Sequence, residues 1–286
     1  MTVDQALDLA VSRLRAGGVS HPPLDAELLL RHVLRWDRAT FLTRGGDALS
    51  LADEARFFYL VAARARRRPL QHLTGTQAFW RHEFVVGPAV LIPRPETEVL
   101  VEASLGLLEA MTAPRVIDVG TGSGCIVLSL AAERPDAILV ATDLSAAALR
   151  VARENASRLD LADRVRFVRG DLLDAFRSGA GAPPFDLVVS NPPYVHDAEW
   201  RDLAPEVRDH DPRSALVPEE GVEALYGRLL AGAARVLRPG GTVAVEVGAG
   251  QSGAVAAQAA GAGFVSPRTL RDLQEIARVI VGTLRH

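Results

Sequence analysis

The run Arg115-Val116-Ile117-Asp118-Val119 is an apolar strand pattern that passes without a break into Gly120-Thr121-Gly122-Ser123-Gly124. A chain leaving a strand through alternating glycines has to turn tightly, and glycine is the residue that enters positive φ without steric cost. The stretch that follows, Cys125 to Glu133, reads as a helix. The same alternation continues downstream, with a strand at Ile138–Thr142, a helix at Ala146–Leu159, and strands at about Val165–Val168 and Phe185–Ser190. A helix at about Val222–Leu237, a strand at Thr242–Val247 and two terminal strand candidates complete the series. Strands alternating with helices predict an α/β fold: a mostly parallel, Rossmann-like sheet with helices on both faces.

The N-terminal part has another texture. Ala6, Leu7, Leu9, Ala10 and Leu14 recur at helical spacing, and Leu28, Leu29, Leu30, Val33 and Leu34 repeat the pattern. Gly17-Gly18 and His21-Pro22-Pro23 punctuate these segments, and a third helix is expected from about Leu51 to Arg67, ended by Pro69. Phe79, Trp80, Phe84, Val85 and Val86, between Gly75 and Gly87-Pro88, predict a short β-hairpin. The expected organisation is a small all-helical docking domain at 1–75, a hairpin linker at 76–92 and a large domain at 93–286. A chain of 286 residues, 48% of them hydrophobic, has room for both.

Charge and cysteine usage narrow the function classes. The net charge of −3 argues against a protein that coats nucleic acid. Residues 1–75 hold 11 Arg against 8 acidic residues, and the rest of the chain 21 against 27, so the basic excess is N-terminal. The chain contains no lysine, which reads as coding bias. The Arg64–Arg68 run reads as a solvated helix end in preference to a docking patch. A single cysteine excludes an internal disulfide framework, and Cys125 reads as a small buried helix residue. No apolar run approaches eighteen residues and Asp4 and Asp8 stand near the N-terminus, so a cytoplasmic protein without a membrane partner is expected. The seven histidines lack ligand spacing, and no metal is expected.

The chemistry concentrates where the Phe185–Ser190 strand ends, at Asn191-Pro192-Pro193-Tyr194. The Asn191 side-chain oxygen and the Pro192 carbonyl together suit two hydrogen bonds from one planar NH2 group. The prolines fix φ and remove donors, and Tyr194 supplies a face for a flat amide or base. The tetrapeptide reads as a clamp for an amino group on an sp2 carbon. The glycine turn fits a nucleoside cofactor, and its G-x-G-x-G spacing departs from the G-x-G-x-x-G that takes a pyrophosphate. Asp143 ends the next strand, where an acid holds ribose hydroxyls, and Asp171 follows the third, placed to meet an adenine edge. Asp118 either braces the glycine loop or touches the cofactor; Glu246 either lies near the cofactor or merely ends its strand. Asp272 and Arg278 read as structural.

Those strand-end features resemble the class I S-adenosylmethionine-dependent methyltransferases. With Leu91-Ile92-Pro93-Arg94-Pro95-Glu96-Thr97-Glu98, Pro69-Leu70-Gln71-His72-Leu73-Thr74-Gly75 and Glu246-Val247-Gly248 with Gln251, the chain resembles, nearly end to end, the release factor glutamine methyltransferases (PrmC or HemK). The resemblance implies S-adenosylmethionine as cofactor, cradled by Gly120, Thr121, Gly122, Ser123 and Gly124, with Asp143 on the ribose, Asp171 and Leu172 bordering the adenine, and Asn191 at the junction with the substrate. It implies catalysis by Asn191, Pro192 and Tyr194, and a substrate amide held by these with Pro193. The implied substrate is the glutamine of the Gly-Gly-Gln motif in class-1 peptide-chain release factors, methylated on its side-chain nitrogen. Two departures stand out: Leu172 occupies a position where relatives can carry a bulky aromatic, and His210-Asp211-Pro212 stands where many have Glu before Pro. The clamp alone also admits glutamine methylation of a ribosomal protein and adenine-N6 methylation of nucleic acid; a regulatory protein that binds cofactor without turnover is a third class, against which the intact Asn191-Pro192-Pro193-Tyr194 stands.

Overall fold

Periodic apolar positions fold the N-terminal part into helices that share one core. The computed structural model describes residues 1–176 and 184–285. Its chain divides into two units, one made of residues 1–76 with 203–210 and the other of 77–202 with 211–286.

In the first unit, α1 (Val3–Ala16) starts at a capping box: the Thr2 side chain accepts from the Gln5 N–H, and the Gln5 side chain accepts from Thr2. Ala6, Ala10 and Leu14, four apart, are fully buried against Leu29 and Leu30 of α2 (Pro22–Leu34) and Phe57 and Val61 of α4 (Leu51–Ala65). Between these lies α3 (Arg38–Thr43), capped by Asp37, and after them α5 (Leu70–Thr74), ended by Gly75 at φ +86°. The sequence pattern gives three helices here because α3 and α5, of 6 and 5 residues, are too short to display a period. The third expected helix stops at Ala65 rather than Arg67, whose φ is +67°.

The expectation of a solvated Arg64–Arg68 run fails at two of its residues. Arg64 is buried, its Nε 2.7 Å from Asp25 Oδ2 and its Nη1 2.9 Å from Glu206 Oε1. Arg67 grips both oxygens of Glu206, at 2.7 and 2.6 Å. Segment 203–210 belongs to this unit, which is why distant acids neutralise the arginines.

In the second unit, the hairpin of β1 (Thr76–Phe79) and β2 (His82–Val85) is not a free connection. Phe79 and Phe84 are buried, their rings 6.1 Å apart edge to face. Glu98, at the head of α6 (Glu98–Leu108), accepts the Trp80 backbone N–H at 2.7 Å.

The sheet runs in the order β5-β4-β3-β6-β7-β9-β8. Its members are β3 (Arg115–Val119), β4 (Ile138–Asp143), β5 (Val165–Arg169), β6 (Phe185–Ser190), β7 (Leu237–Glu246), β8 (Phe264–Arg271) and β9 (Ala277–Leu284). Strands β5 to β7 are parallel, while β9 runs antiparallel to β7 and β8 antiparallel to β9. The period of two sorts side chains between two cores: Val116, Leu187 and Val189 face one cluster, Ile117 and Val188 the other. The first cluster takes in α6 and α7 (Cys125–Glu133), and α8 (Ala146–Arg158) adds Ala156 to it. The short helix α9 (Pro205–Arg208) is the piece of chain placed in the first unit. The second cluster is covered by α10 (Val222–Val236) and α11 (Ser252–Gly261). Helix α11 falls in the Ala/Gly-rich stretch 249–263, whose composition masks its period. Strand pairing in β7 begins at Leu237, five residues before the expected Thr242, and crosses Pro239-Gly240-Gly241 with a register shift.

Candidate active site

The strand order reverses between β3 and β6, so their carboxyl ends part and open a crevice where α/β sheets bind ligands. The glycine turn follows β3 and Asn191-Pro192-Pro193-Tyr194 follows β6. The Ser190 hydroxyl donates to the Val119 carbonyl at 2.7 Å and fixes the two strand ends against each other.

Gly120, Gly122 and Gly124 have φ of +73°, +55° and +83°, conformations that require glycine. A Cβ built on Gly120 or Gly122 would point into open space, so their backbone is free for close approach by a ligand. At Gly124 it would press on Leu128 and Ala152, so that glycine serves helix packing. Asp143 braces this turn: its Oδ2 accepts the Gly122 N–H at 2.9 Å and its Oδ1 the Ser145 N–H at 2.8 Å. Burial raises the Asp143 pKa, and these two N–H groups oppose the rise. Asn155, absent from the sequence reading, ties the surroundings together by accepting from Val85 N–H and donating to the carbonyls of Val85 and Ser123.

Asp118 accepts the Thr121 hydroxyl at 2.7 Å on one oxygen, while its other oxygen is buried and reaches no partner at full hydrogen-bond geometry. Burial pushes this carboxyl up to about 7. Cys125 is buried too, and its thiol is pushed up to about 12. Asp171 and Leu172 follow β5. Asp171 is exposed and paired with Arg228 at 2.7 Å, so in this structure its carboxylate faces a cation. Leu172 is half-buried at φ +46°, and its carbonyl accepts the Thr142 hydroxyl at 3.3 Å.

At the clamp, Asn191 Nδ2 donates to Thr97 Oγ1 at 3.1 Å. That bond turns Oδ1 away from Thr97, where it takes no protein partner among the described residues and remains an acceptor. The Tyr194 hydroxyl reaches Glu246 Oε1 at 3.3 Å, and its carbonyl accepts Gln251 Nε2 at 2.7 Å. Burial and the Glu246 charge hold the Tyr194 phenol well above its ordinary pKa, so it stays neutral. Glu246, which the sequence leaves either near the cofactor or as a mere strand end, is 1% exposed at the centre of this network. Burial pushes its carboxyl up to about 7, against the Thr97 and Tyr194 hydroxyls and the Arg278 charge. The departure at His210-Asp211-Pro212 also finds a partner: Asp211, fully buried at its side chain, meets Arg94 of the Pro-rich segment at 2.7 Å. Burial raises Asp211 to about 6, and Arg94 limits the rise. Thr97, like Asn155, carries no role in the sequence reading; its signal is membership of Leu91–Glu98.

An open glycine cradle braced by an acid at the end of β4, beside Asn191-Pro192-Pro193-Tyr194 at the end of β6, on this strand order, defines a class I S-adenosylmethionine-dependent methyltransferase. In solved structures the fold matches the catalytic domain of hMettl16 in complex with a 3′UTR hairpin, with TM-score 0.57 and 14% identity over 80% of this chain and 92% of that one. Residues 5–75 match the PrmC N-terminal domain and residues 97–207 the methyltransferase small domain. The chain is 47% identical over 256 residues to the release factor glutamine methyltransferase of Moorella thermoacetica, covering 89% of this chain and 88% of that one. It is 41% identical over 282 residues to that of Caulobacter vibrioides, covering 99% and 96%. The chain belongs to the release factor glutamine methyltransferase family.

Proposed function

We propose that this enzyme transfers a methyl group from S-adenosylmethionine to the side-chain nitrogen (N5) of the glutamine in the Gly-Gly-Gln motif of class-1 peptide-chain release factors. The observation that carries the reading is the Asn191 side-chain nitrogen, held by Thr97 Oγ1 at 3.1 Å so that its oxygen is left as acceptor, at the head of Asn191-Pro192-Pro193-Tyr194 after β6. Relatives that match nearly end to end bear the corresponding name. Its place of work is then the cytoplasm, where release factors act; among the described residues no helix is long and apolar enough to cross a membrane.

Gly120 to Gly124 would hold the cofactor through open backbone, with Asp143 at its ribose and Asp171 and Leu172 along its base. When bound, the cofactor supplies a methyl group on a sulfonium, a leaving group that needs no acid assistance. The protein's task is therefore position and charge. An amide nitrogen is a weak nucleophile because its lone pair is delocalised. Asn191 Oδ1 and the Pro192 carbonyl each accept one N–H of the substrate amide, which aims the nitrogen and favours its pyramidal form and developing positive charge. Tyr194 packs over the amide plane. No general base is assigned, because the proton leaves nitrogen after transfer. Docking of the folded release factor falls to the helical domain, since every glutamine offers the same amide and selection needs distant contacts.

The test is transfer of labelled methyl from S-adenosylmethionine to purified release factor, beside a Gly-Gly-Ala factor, ribosomal protein and adenine-containing DNA. Label on the wild-type factor that vanishes with the Gln→Ala change supports the reading. Label only on another acceptor keeps the clamp and discards the release factor as substrate.

A further inference from the structure

An asparagine amide is nearly symmetric in shape, and a half-turn about its last side-chain bond exchanges an acceptor for a donor. A clamp for an NH2 group works with Asn191 one way round and fails with it reversed, when two donors would face each other. We propose that Thr97 and Glu246 are positioning residues that set this choice: they hold Asn191 with its nitrogen inward and its oxygen toward the substrate.

The argument rests on the glutamine-methylation reading and on three elements that meet at one point. Thr97 ends the Pro-rich turn before α6 and is 2% exposed. Asn191 follows β6 and donates to the Thr97 hydroxyl. Glu246 ends β7, is 1% exposed and receives the Tyr194 hydroxyl. A hydroxyl that accepts from an amide still has its own proton to place. The buried Glu246 carboxylate, which receives the Tyr194 hydroxyl at 3.3 Å, is the acceptor toward which that proton turns, and the Thr97 hydroxyl accordingly opposes the rise that burial gives its pKa. Polarity is thus imposed from the buried anion outward: Glu246 orients Thr97, and Thr97 orients Asn191. The same carboxylate holds the Tyr194 ring, so one buried group fixes both walls of the clamp.

A packing role and an orienting role make different predictions. Thr97→Val keeps shape and burial but removes the hydroxyl; Thr97→Ser keeps the hydroxyl and removes a methyl. In the full chain with release factor as substrate, Thr97→Val should lower kcat by about 10- to 100-fold, as for a misplaced reacting group. S-adenosylmethionine binding by calorimetry should be unchanged, and Thr97→Ser should recover most of the rate. Glu246→Gln should lower kcat as well, because its amide can donate to Thr97 and reverse the order. An independent readout is the Asn191 side-chain amide pair in 15N–1H spectra, assigned by its loss in Asn191→Asp. Slow hydrogen exchange of that pair should persist in Thr97→Ser and disappear in Thr97→Val. Wild-type kcat in Thr97→Val, equal impairment in Thr97→Ser, or exchange identical in all three proteins overturns the inference. If the wild-type chain methylates no release factor, the glutamine reading falls while the amide exchange still decides how Asn191 is held.

Discussion

Thr97 Oγ1 and Asn191 Nδ2 lie 3.1 Å apart although 94 residues separate them in the chain. The contact brings the Pro-rich turn before α6 to the first residue after β6. Asn191→Ala removes the acceptor itself. The expected loss is on the order of 2–4 kcal/mol of transition-state stabilisation, a kcat lower by roughly 30- to 1,000-fold at saturating cofactor. Turnover of Asn191→Ala close to wild type under those conditions would remove the clamp from the mechanism.

Asp143 acts one step earlier, on the cofactor cradle. Its two oxygens each hold one backbone N–H, of Gly122 and of Ser145, so it shapes the glycine turn from beneath. Asp143→Ala leaves both N–H groups without their anion, and hydrogen bonds to charged groups contribute about 1.5–3 kcal/mol each. Cofactor affinity should fall by at least about tenfold, read by calorimetry with S-adenosylmethionine alone. Asp143→Asn should bind weakly as well, because its NH2 must face one of the two donors. Unchanged affinity in both variants would leave Asp143 as a mere strand terminus.

What the sequence discloses is what is local. The β3 strand, glycine turn and α7 helix are legible because each is a pattern of neighbours, and the turn Asn191-Pro192-Pro193-Tyr194 is found where the sequence puts it, directly after β6. Helices α3 and α5 escape because one or two turns cannot show a period. The pairings of Arg64 with Asp25 and Glu206 span 39 and 142 residues, so a basic run looks solvated until the fold supplies its acids. The partners of Glu246 and Thr97 escape for the same reason: both residues lie in segments that carry the resemblance, but their contacts with Tyr194 and Asn191 span 52 and 94 residues. Asp171 gives the opposite case, a strand-end acid whose carboxylate the structure places on Arg228.

Glu206 joins two arginines of the helical unit at once. Glu206→Ala would leave Arg67 without this partner while buried Arg64 keeps Asp25, so folded stability should fall. Burial alone would raise the Glu206 pKa, but the hydrogen bonds from Arg67 and Arg64 bring it down to about 2, below its ordinary 4.5. A depressed carboxyl contributes stability that is full above the unfolded value and lost as pH falls through the folded one. The stability difference between wild type and Glu206→Ala, from thermal unfolding, should therefore be level above about pH 5 and shrink as pH falls through about 4 toward 2. A difference that grows in acid would contradict the pairing.

Glu246 carries the opposite sign. Burial raises its pKa from 4.5 to about 7, so between those values the folded chain holds a proton that the unfolded chain has released. Its contribution to stability is then full below about pH 4.5 and is lost as pH rises through about 7, by about 3 kcal/mol for such a shift. The groups facing it keep their charge through this window. Tyr194 after β6 and Tyr226 on α10 are phenols held high by burial, Cys125 on α7 is raised to about 12, and Arg278 on β9 remains a cation. Glu96, beside Thr97, lies 4.0 Å from Arg278. Asp118 also titrates near 7 but is common to both proteins compared. Glu246→Gln, neutral throughout, should unfold at a higher Tm than wild type at pH 8, with the gap closing toward pH 4.5. Activity should run the other way, since orientation of Asn191 needs the anion: wild-type kcat should rise from pH 6 to 8, and the low, pH-insensitive kcat of Glu246→Gln should lack that limb. One buried carboxylate would then lower stability at the pH where it supports transfer, a strain retained where the site requires it. A Tm gap independent of pH would place the titration elsewhere, and a flat wild-type kcat profile would separate the carboxylate's charge from the clamp.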